Sequence, residues 1–132
     1  MGTAHLISTP GKRSPDGALR EYKYSREICL EVQKALTNLG YRCFIDWIDD
    51  DMPNSNKELE QRVDIVNKIC KKYGSKNCLY ISIHNNAAGL GKEWIKAYGW
   101  SAWVYRNGSN NSRKLANCLF DVCKDLGLKT RQ

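Results

Sequence analysis

Between residues 21 and 39 the apolar positions Tyr24, Ile28, Val32, Leu36 and Leu39 recur at spacings of three and four, the period that places side chains on one face of an α-helix. Gly40 supplies the stop, since glycine readily takes up the left-handed conformation that ends helices. The segment "YRCFIDWI" (41–48) reads as a strand. A polar loop, "DDDMPNSN", follows, in which Asn56 can cap a second helix. That helix carries Leu59, Val63, Val66 and Cys70 on one face and is closed by Lys71, Lys72 and Gly74.

"CLYISIH" (78–84) is a continuous apolar run rather than an alternating one, which predicts a strand covered on both faces and central in a parallel sheet. After a glycine-rich loop, "WSAWVY" (100–105) reads as a further strand. Residues 111–126 then read as a last helix turning Leu115, Leu119, Val122 and Leu126 inward. Strands alternating with helices predict an α/β fold: an open, mostly parallel twisted sheet flanked by helices in three αβα layers. No repeat or linker interrupts the chain, so 1–132 reads as a single domain. Its ends are short. The first strand must precede His5, where only four residues stand, and no strand-length segment is expected after the last helix.

Composition narrows the classes. A chain of 132 residues can bury one core, and no apolar run approaches the roughly 20 residues of a membrane helix, so a soluble protein without a membrane span is expected. The formal charge of +7, from 21 Lys and Arg against 14 Asp and Glu, favours an anionic partner. The basic residues are scattered rather than gathered in a stripe, so nucleic acid is not expected to be that partner. Six cysteines without CxxC spacing fall in predicted helices and strands; they read as buried, reduced thiols made in the cytoplasm. "MGTAHLISTP" lacks the basic start and apolar stretch of a signal peptide, and "TPGKRSPDG" lacks the spacing of a phosphate-binding loop. Nothing in the sequence fixes an oligomeric state.

The chemistry concentrates at three residues. In open α/β sheets ligands bind beyond the carboxyl ends of the strands, and His84 stands at such an end. His5, the only other histidine, lies in the loop "HLISTPGKRSPDG" that leads into the first helix, whose head is Glu21. Taken singly, such a histidine ordinarily bonds a neighbouring loop, and such a glutamate ordinarily complements the helix dipole. Taken together they make a His₂Glu set, which holds zinc and leaves one position open for water.

On these residues the chain resembles the zinc-dependent N-acetylmuramoyl-L-alanine amidases. His5 in "TAHLISTPGKRSPDG" matches the histidine of the family's Gly-His-Gly loop, with Ala4 and Leu6 in place of the glycines. Glu21 in "LREYKYSREI" matches its ligand glutamate, and His84 in "ISIHNNAAG" matches its Ser-Ile-His motif. "LEQRVDIVN", with Leu59, Arg62 and Asn67, resembles the family's Leu-x-x-Arg-x-x-x-x-Asn helix, and "GWSAWVY" its later Gly-containing strand.

The resemblance implies a zinc ion on His5, Glu21 and His84. It also implies hydrolysis of the amide between N-acetylmuramic acid and L-alanine in peptidoglycan, at the bacterial cell wall, in phage lysis or wall remodelling. Substrate contacts are expected from Lys12 and Arg13 toward stem-peptide carboxylates, from Asn85 and Asn86, and from the aromatic faces of Trp94 and Tyr98. The family's general-base glutamate sits on a late strand, and "GLKTRQ" offers neither that strand nor that residue. Glu93 is the one substitute considered. The competing expectation is a peptidoglycan-binding module that does not cut.

Overall fold

A computed structural model of the chain describes residues 1–9, 12–48, 55–86, 92–96 and 98–131. The predicted loop over 49–54 and most of the glycine-rich loop after His84 lie outside these residues. The chain forms two compact units, Met1–Trp94 and Ile95–Gln132. Among the described residues no helix is long and apolar enough to cross a membrane.

The first unit is built on a two-stranded parallel sheet. Strand β1 (Gly2–Thr3) pairs with β2 (Ser82–Ile83) in the register Gly2 to Ser82 and Thr3 to Ile83, with helices α1 (Glu21–Asn38) and α2 (Ser55–Tyr73) between them in sequence. This is a partial α/β fold; the described strands do not extend to the three-layer sheet predicted. Residues 41–48 are not a regular strand, although they run beside β1. The Met1 amino group donates to the Phe44 carbonyl at 2.6 Å, and the Asp46 amide donates to the Met1 carbonyl at 3.0 Å. The Thr3 amide then donates to the Asp46 side chain at 2.8 Å instead of to a carbonyl, and that replacement ends the backbone ladder.

α1 buries a different face from the one its apolar period marks. Glu21, Ser25, Arg26 and Cys29 are buried, whereas Tyr24 and Leu39 are exposed. Small side chains let the helix approach the backbone that continues β1. Ser25 Oγ accepts from the Ala4 amide at 2.9 Å, and Cys29 Sγ lies 3.6 Å from the Gly2 carbonyl. α2 begins at Ser55, so Asn56 lies inside its first turn rather than at the cap.

A buried cation joins α2 to the sheet. The Arg62 guanidinium donates to Glu58 Oε1 from Nε and Nη2 at 3.1 and 2.9 Å, and to Asp46 Oδ1 and Thr3 Oγ1 from Nη1 at 2.9 and 2.7 Å. Tyr80 completes the group by donating to the other Asp46 oxygen at 2.6 Å, and burial together with that hydrogen bond raises its phenol far above the ordinary range. Buried charges are tolerated only when paired and hydrogen-bonded, a condition this network meets.

The run "CLYISIH" is not enclosed on both faces, for Leu79 is 63% and Tyr80 46% exposed, and only Ser82 and Ile83 form ladder pairs. The cysteines depart from expectation as well. All six are free thiols, but Cys29 alone is buried; Cys118 is exposed and the others are intermediate.

In the second unit "WSAWVY" does not form a regular strand. A single parallel bridge joins Trp100 to Thr130, with Trp100 N–H donating to the Lys129 carbonyl at 2.7 Å and Arg131 N–H to the Trp100 carbonyl at 2.8 Å. After the last helix the described residues thus contribute one isolated bridge, at Thr130. Gly99 allows the approach: its φ is +132°, and a Cβ there would meet the Lys129 carbonyl at 3.1 Å. Helix α3 (Asn110–Asp125) starts from Ser109, whose hydroxyl accepts from the Ser112 amide, but Val122 and Leu126 are exposed rather than inward. Trp100 packs near Phe120, with ring centroids 6.1 Å apart, while Trp103 is 84% exposed.

Candidate metal centre

The parallel register determines where the two histidines fall. One step beyond the Thr3–Ile83 pair, His84 stands level with Ala4, so His5 and His84 emerge at the same carboxyl edge of the sheet. His5 has a φ of +44°, a left-handed conformation uncommon for a residue with a side chain, and strain of this kind gathers at functional sites. The buried neighbours Ala4 and Leu6 fix the backbone on either side, and Arg62 Nη2 reaches the His5 carbonyl at 3.5 Å.

Glu21 arrives by a tied loop. Arg13 and Arg20 form an antiparallel bridge, the Ser14 amide donates to the Leu19 carbonyl, and the Glu21 amide donates to the Lys12 carbonyl at 3.1 Å. Asp16 accepts from the Ser14 hydroxyl and the Ala18 amide, which closes the turn. Glu21, as the first residue of α1, is thereby aimed at the sheet edge.

The three side chains converge. His84 Nδ1 lies 3.0 Å and His5 Nε2 lies 3.7 Å from Glu21 Oε1, the imidazole centroids are 5.2 Å apart, and the ligand atoms of all three lie within 4.8 Å of one another. Four-coordinate zinc has bonds of about 2.0–2.2 Å, which place neighbouring donors roughly 3.3 Å apart; the two contacts to Glu21, at 3.0 and 3.7 Å, lie on either side of that spacing, and a divalent cation would draw the widest separation, 4.8 Å, inward. The Asn85 amide donates to Glu21 Oε1 at 3.0 Å and holds the carboxylate in place. With Glu21 ionised and accepting, the Nδ1 of His84 carries the proton in the metal-free chain.

Burial sets the charge states. It holds the His5 imidazole below its ordinary pKa of 6.5, with the Lys12 charge acting in the same direction and the Glu21 carboxylate against it. At Glu21 burial acts to raise the pKa, but the hydrogen bonds from His84 and Asn85 and the charges of both histidines outweigh it and hold the carboxyl below its usual range. Neutral imidazoles beside an ionised carboxylate form the ligating state. Both shifts stabilise the folded chain at high pH relative to low: a lowered folded-state pKa contributes stability above the unfolded value that is lost as pH falls through the folded one. The metal-free chain is therefore expected to lose thermal stability below its His5 reference of 6.5 and again below 4.5 for Glu21. Melting curves from pH 8 to 4 check this, and a stability that rises on acidification through that span would contradict it.

Beside the cluster runs an open groove of about 480 Å³ lined by His5, His84, Glu58, Arg62, Asn67, Tyr80, Ser82 and the apolar α2 residues Leu59, Val63 and Val66. His84, with 48% of its side chain exposed, is the donor most open to an incoming molecule. Asn85 acts here through its backbone, and Asn86 follows it exposed. Lys12 and Arg13 line a second cavity instead. Glu93 and Trp94 are exposed, and neither is among the described residues lining the groove. Tyr98 lies in the second unit, where Lys129 Nζ sits 4.0 Å above its ring. Sequence reasoning missed Glu58, the carboxylate that lines the groove near His5; its spacing of four from Arg62 on one helix was the available signal.

Comparison with curated proteins and with solved structures gives no match. A family profile described as N-acetylmuramoyl-L-alanine amidase does match, over residues 3–132, a span that contains the whole His5, Glu21 and His84 cluster. The chain belongs to the N-acetylmuramoyl-L-alanine amidase family.

Proposed function

We propose that the chain is a zinc-dependent peptidoglycan hydrolase that cleaves the amide between N-acetylmuramic acid and L-alanine, acting at the bacterial cell wall as one domain. The convergence of His5, Glu21 and His84 within 4.8 Å, in a chain of this family, carries the reading. In it these three residues hold zinc, which supplies an electrophile for the scissile carbonyl and makes a bound water more acidic.

The chain's own residues do the rest. Asn85 N–H holds the Glu21 carboxylate in one orientation, and its backbone anchors the turn that carries His84. The exposed edge of His84 leaves room for the scissile amide. Asn85 and Asn86 offer side-chain amides to the peptide, Lys12 and Arg13 offer cations to its carboxylates, and Trp94 offers a flat face to sugar rings, as does Tyr98 within the second unit. Glu93 is the substitute for the general base in this reading, and amidase activity unchanged in Glu93→Gln would remove it.

Incubation of the zinc-supplemented chain with purified sacculi is expected to release stem peptides bearing a new L-alanine amino terminus, detected by amine labelling and mass spectrometry. Retention of the chain on sacculi with no such amine would instead establish the non-cutting, wall-binding alternative.

A further inference from the structure

The head of α1 holds a second concavity, of about 270 Å³, whose lining includes Ser8, Thr9, Lys12, Arg13, Arg20 and Tyr22. Its charge arrangement is unusual. Arg13 and Arg20 are opposed across an antiparallel bridge, where like charges face one another and destabilise the pairing. No carboxylate is among the described residues lining the cavity. Asp16, the acid within the same loop, is committed to the Ser14 hydroxyl and the Ala18 amide. The loop thus concentrates three cations around hydroxyl groups and leaves them without an internal counter-charge among the described residues.

The cavity adjoins the cluster along the chain on two sides. Leu6, also in its wall, follows His5, and Arg20 and Tyr22 flank Glu21. The Lys12 charge is close enough to act on His5. We propose that this cavity is an anion subsite that receives a carboxylate of the stem peptide whose first amide lies at the cluster, with Arg20 joining Lys12 and Arg13 in holding it. The proposal rests on the amidase reading for the identity of that peptide. In a stem peptide the residue after L-alanine is a D-glutamyl unit with a carboxylate to spare. Two residues of extended chain reach about 7 Å, which is the span from the scissile amide to that carboxylate. Guanidinium groups suit the task, since each can hold a carboxylate through two parallel hydrogen bonds.

The test measures binding by the full, metal-free chain, without turnover. N-acetyl-L-alanyl-D-glutamate and its diamide are titrated separately into ¹⁵N-labelled protein and followed by amide shifts. The diacid is expected to bind more tightly than the diamide and to move resonances of residues 6–9, 12–13 and 20–22. Arg13→Gln and Arg20→Gln should each weaken the diacid by on the order of three- to fivefold and leave the diamide unchanged. Lys71→Gln, on the far end of α2, should change neither. Equal binding of diacid and diamide, or a preference that survives both arginine substitutions, overturns the proposal. Inorganic phosphate that displaces the diacid at equal concentration also overturns it, by showing a general anion site. A chain that keeps the diacid preference but releases no peptide from sacculi refutes the hydrolase reading alone, and one that cuts without the preference refutes the subsite alone.

Discussion

Replacing Glu21 with glutamine is expected to lower affinity for zinc by more than about a hundredfold and to reduce release of peptides from sacculi to background. The comparison behind that figure is the roughly 10–100-fold loss seen when only a residue supporting a ligand is removed. Glutamine is the informative choice because it keeps the shape and the acceptor oxygen. The Asn85 amide and the Nδ1–H of His84 can still donate to it at the places now occupied by Oε1. What it removes is the negative charge that two neutral imidazoles cannot replace. Titration against a chromophoric zinc chelator, with circular dichroism to verify the fold, makes the measurement. Wild-type zinc affinity in Glu21→Gln would take Glu21 out of the ligand set.

The second large effect is on stability. Arg62→Met is expected to cost about 3–5 kcal/mol, the range for breaking a buried ion pair from one side. The guanidinium is the shared partner of Asp46, whose side chain is 1% exposed, and of Glu58 at 7%. Its loss leaves two carboxylates without their counter-charge and takes from the Thr3 hydroxyl its donor, while Asp46 keeps the Thr3 amide and the Tyr80 hydroxyl. Denaturant unfolding monitored by fluorescence gives the difference. A loss below about 1 kcal/mol would mean that water reaches the network and that the pair is a surface one in energy. Adding Asp46→Asn to Arg62→Met should return part of the loss by neutralising a stranded charge. Arg62→Lys should fall between, because an ammonium cannot reproduce the fork that spans Glu58, Asp46 and Thr3.

The helices were legible in the sequence because their apolar period extends over several turns, and α1 and α2 lie within two residues of where the pattern put them, α3 within one. Their packing faces were less so. The period of α1 marks Tyr24 and Ile28, yet the sheet meets Ser25 and Cys29, since closest approach is decided by small side chains that hydrogen-bond the neighbouring backbone. The strands were overestimated for a related reason. Apolar runs at 41–48 and 78–84 record a tendency to extend, whereas a ladder needs a partner at each step, and Asp46 takes the Thr3 amide with its side chain instead. His5 and His84 stood out because the chain has two histidines in all, and Glu21 because it heads the first helix after the loop that carries His5. The groove beside them did not stand out, because its walls come from α2 and from residues near β2, which only folding brings together.

The cluster also joins parts of the chain that are far apart in sequence. Glu21 and His84 are sixty-three residues apart, and the strands that deliver the histidines are two residues long. A cation held by all three donors would act as a clasp closing a long loop, favouring the folded chain through the entropy it removes from the unfolded one. Supply of that cation would then govern the lifetime of the protein as well as its chemistry: starved of it, the sheet edge would open first and offer the loops on either side to proteases.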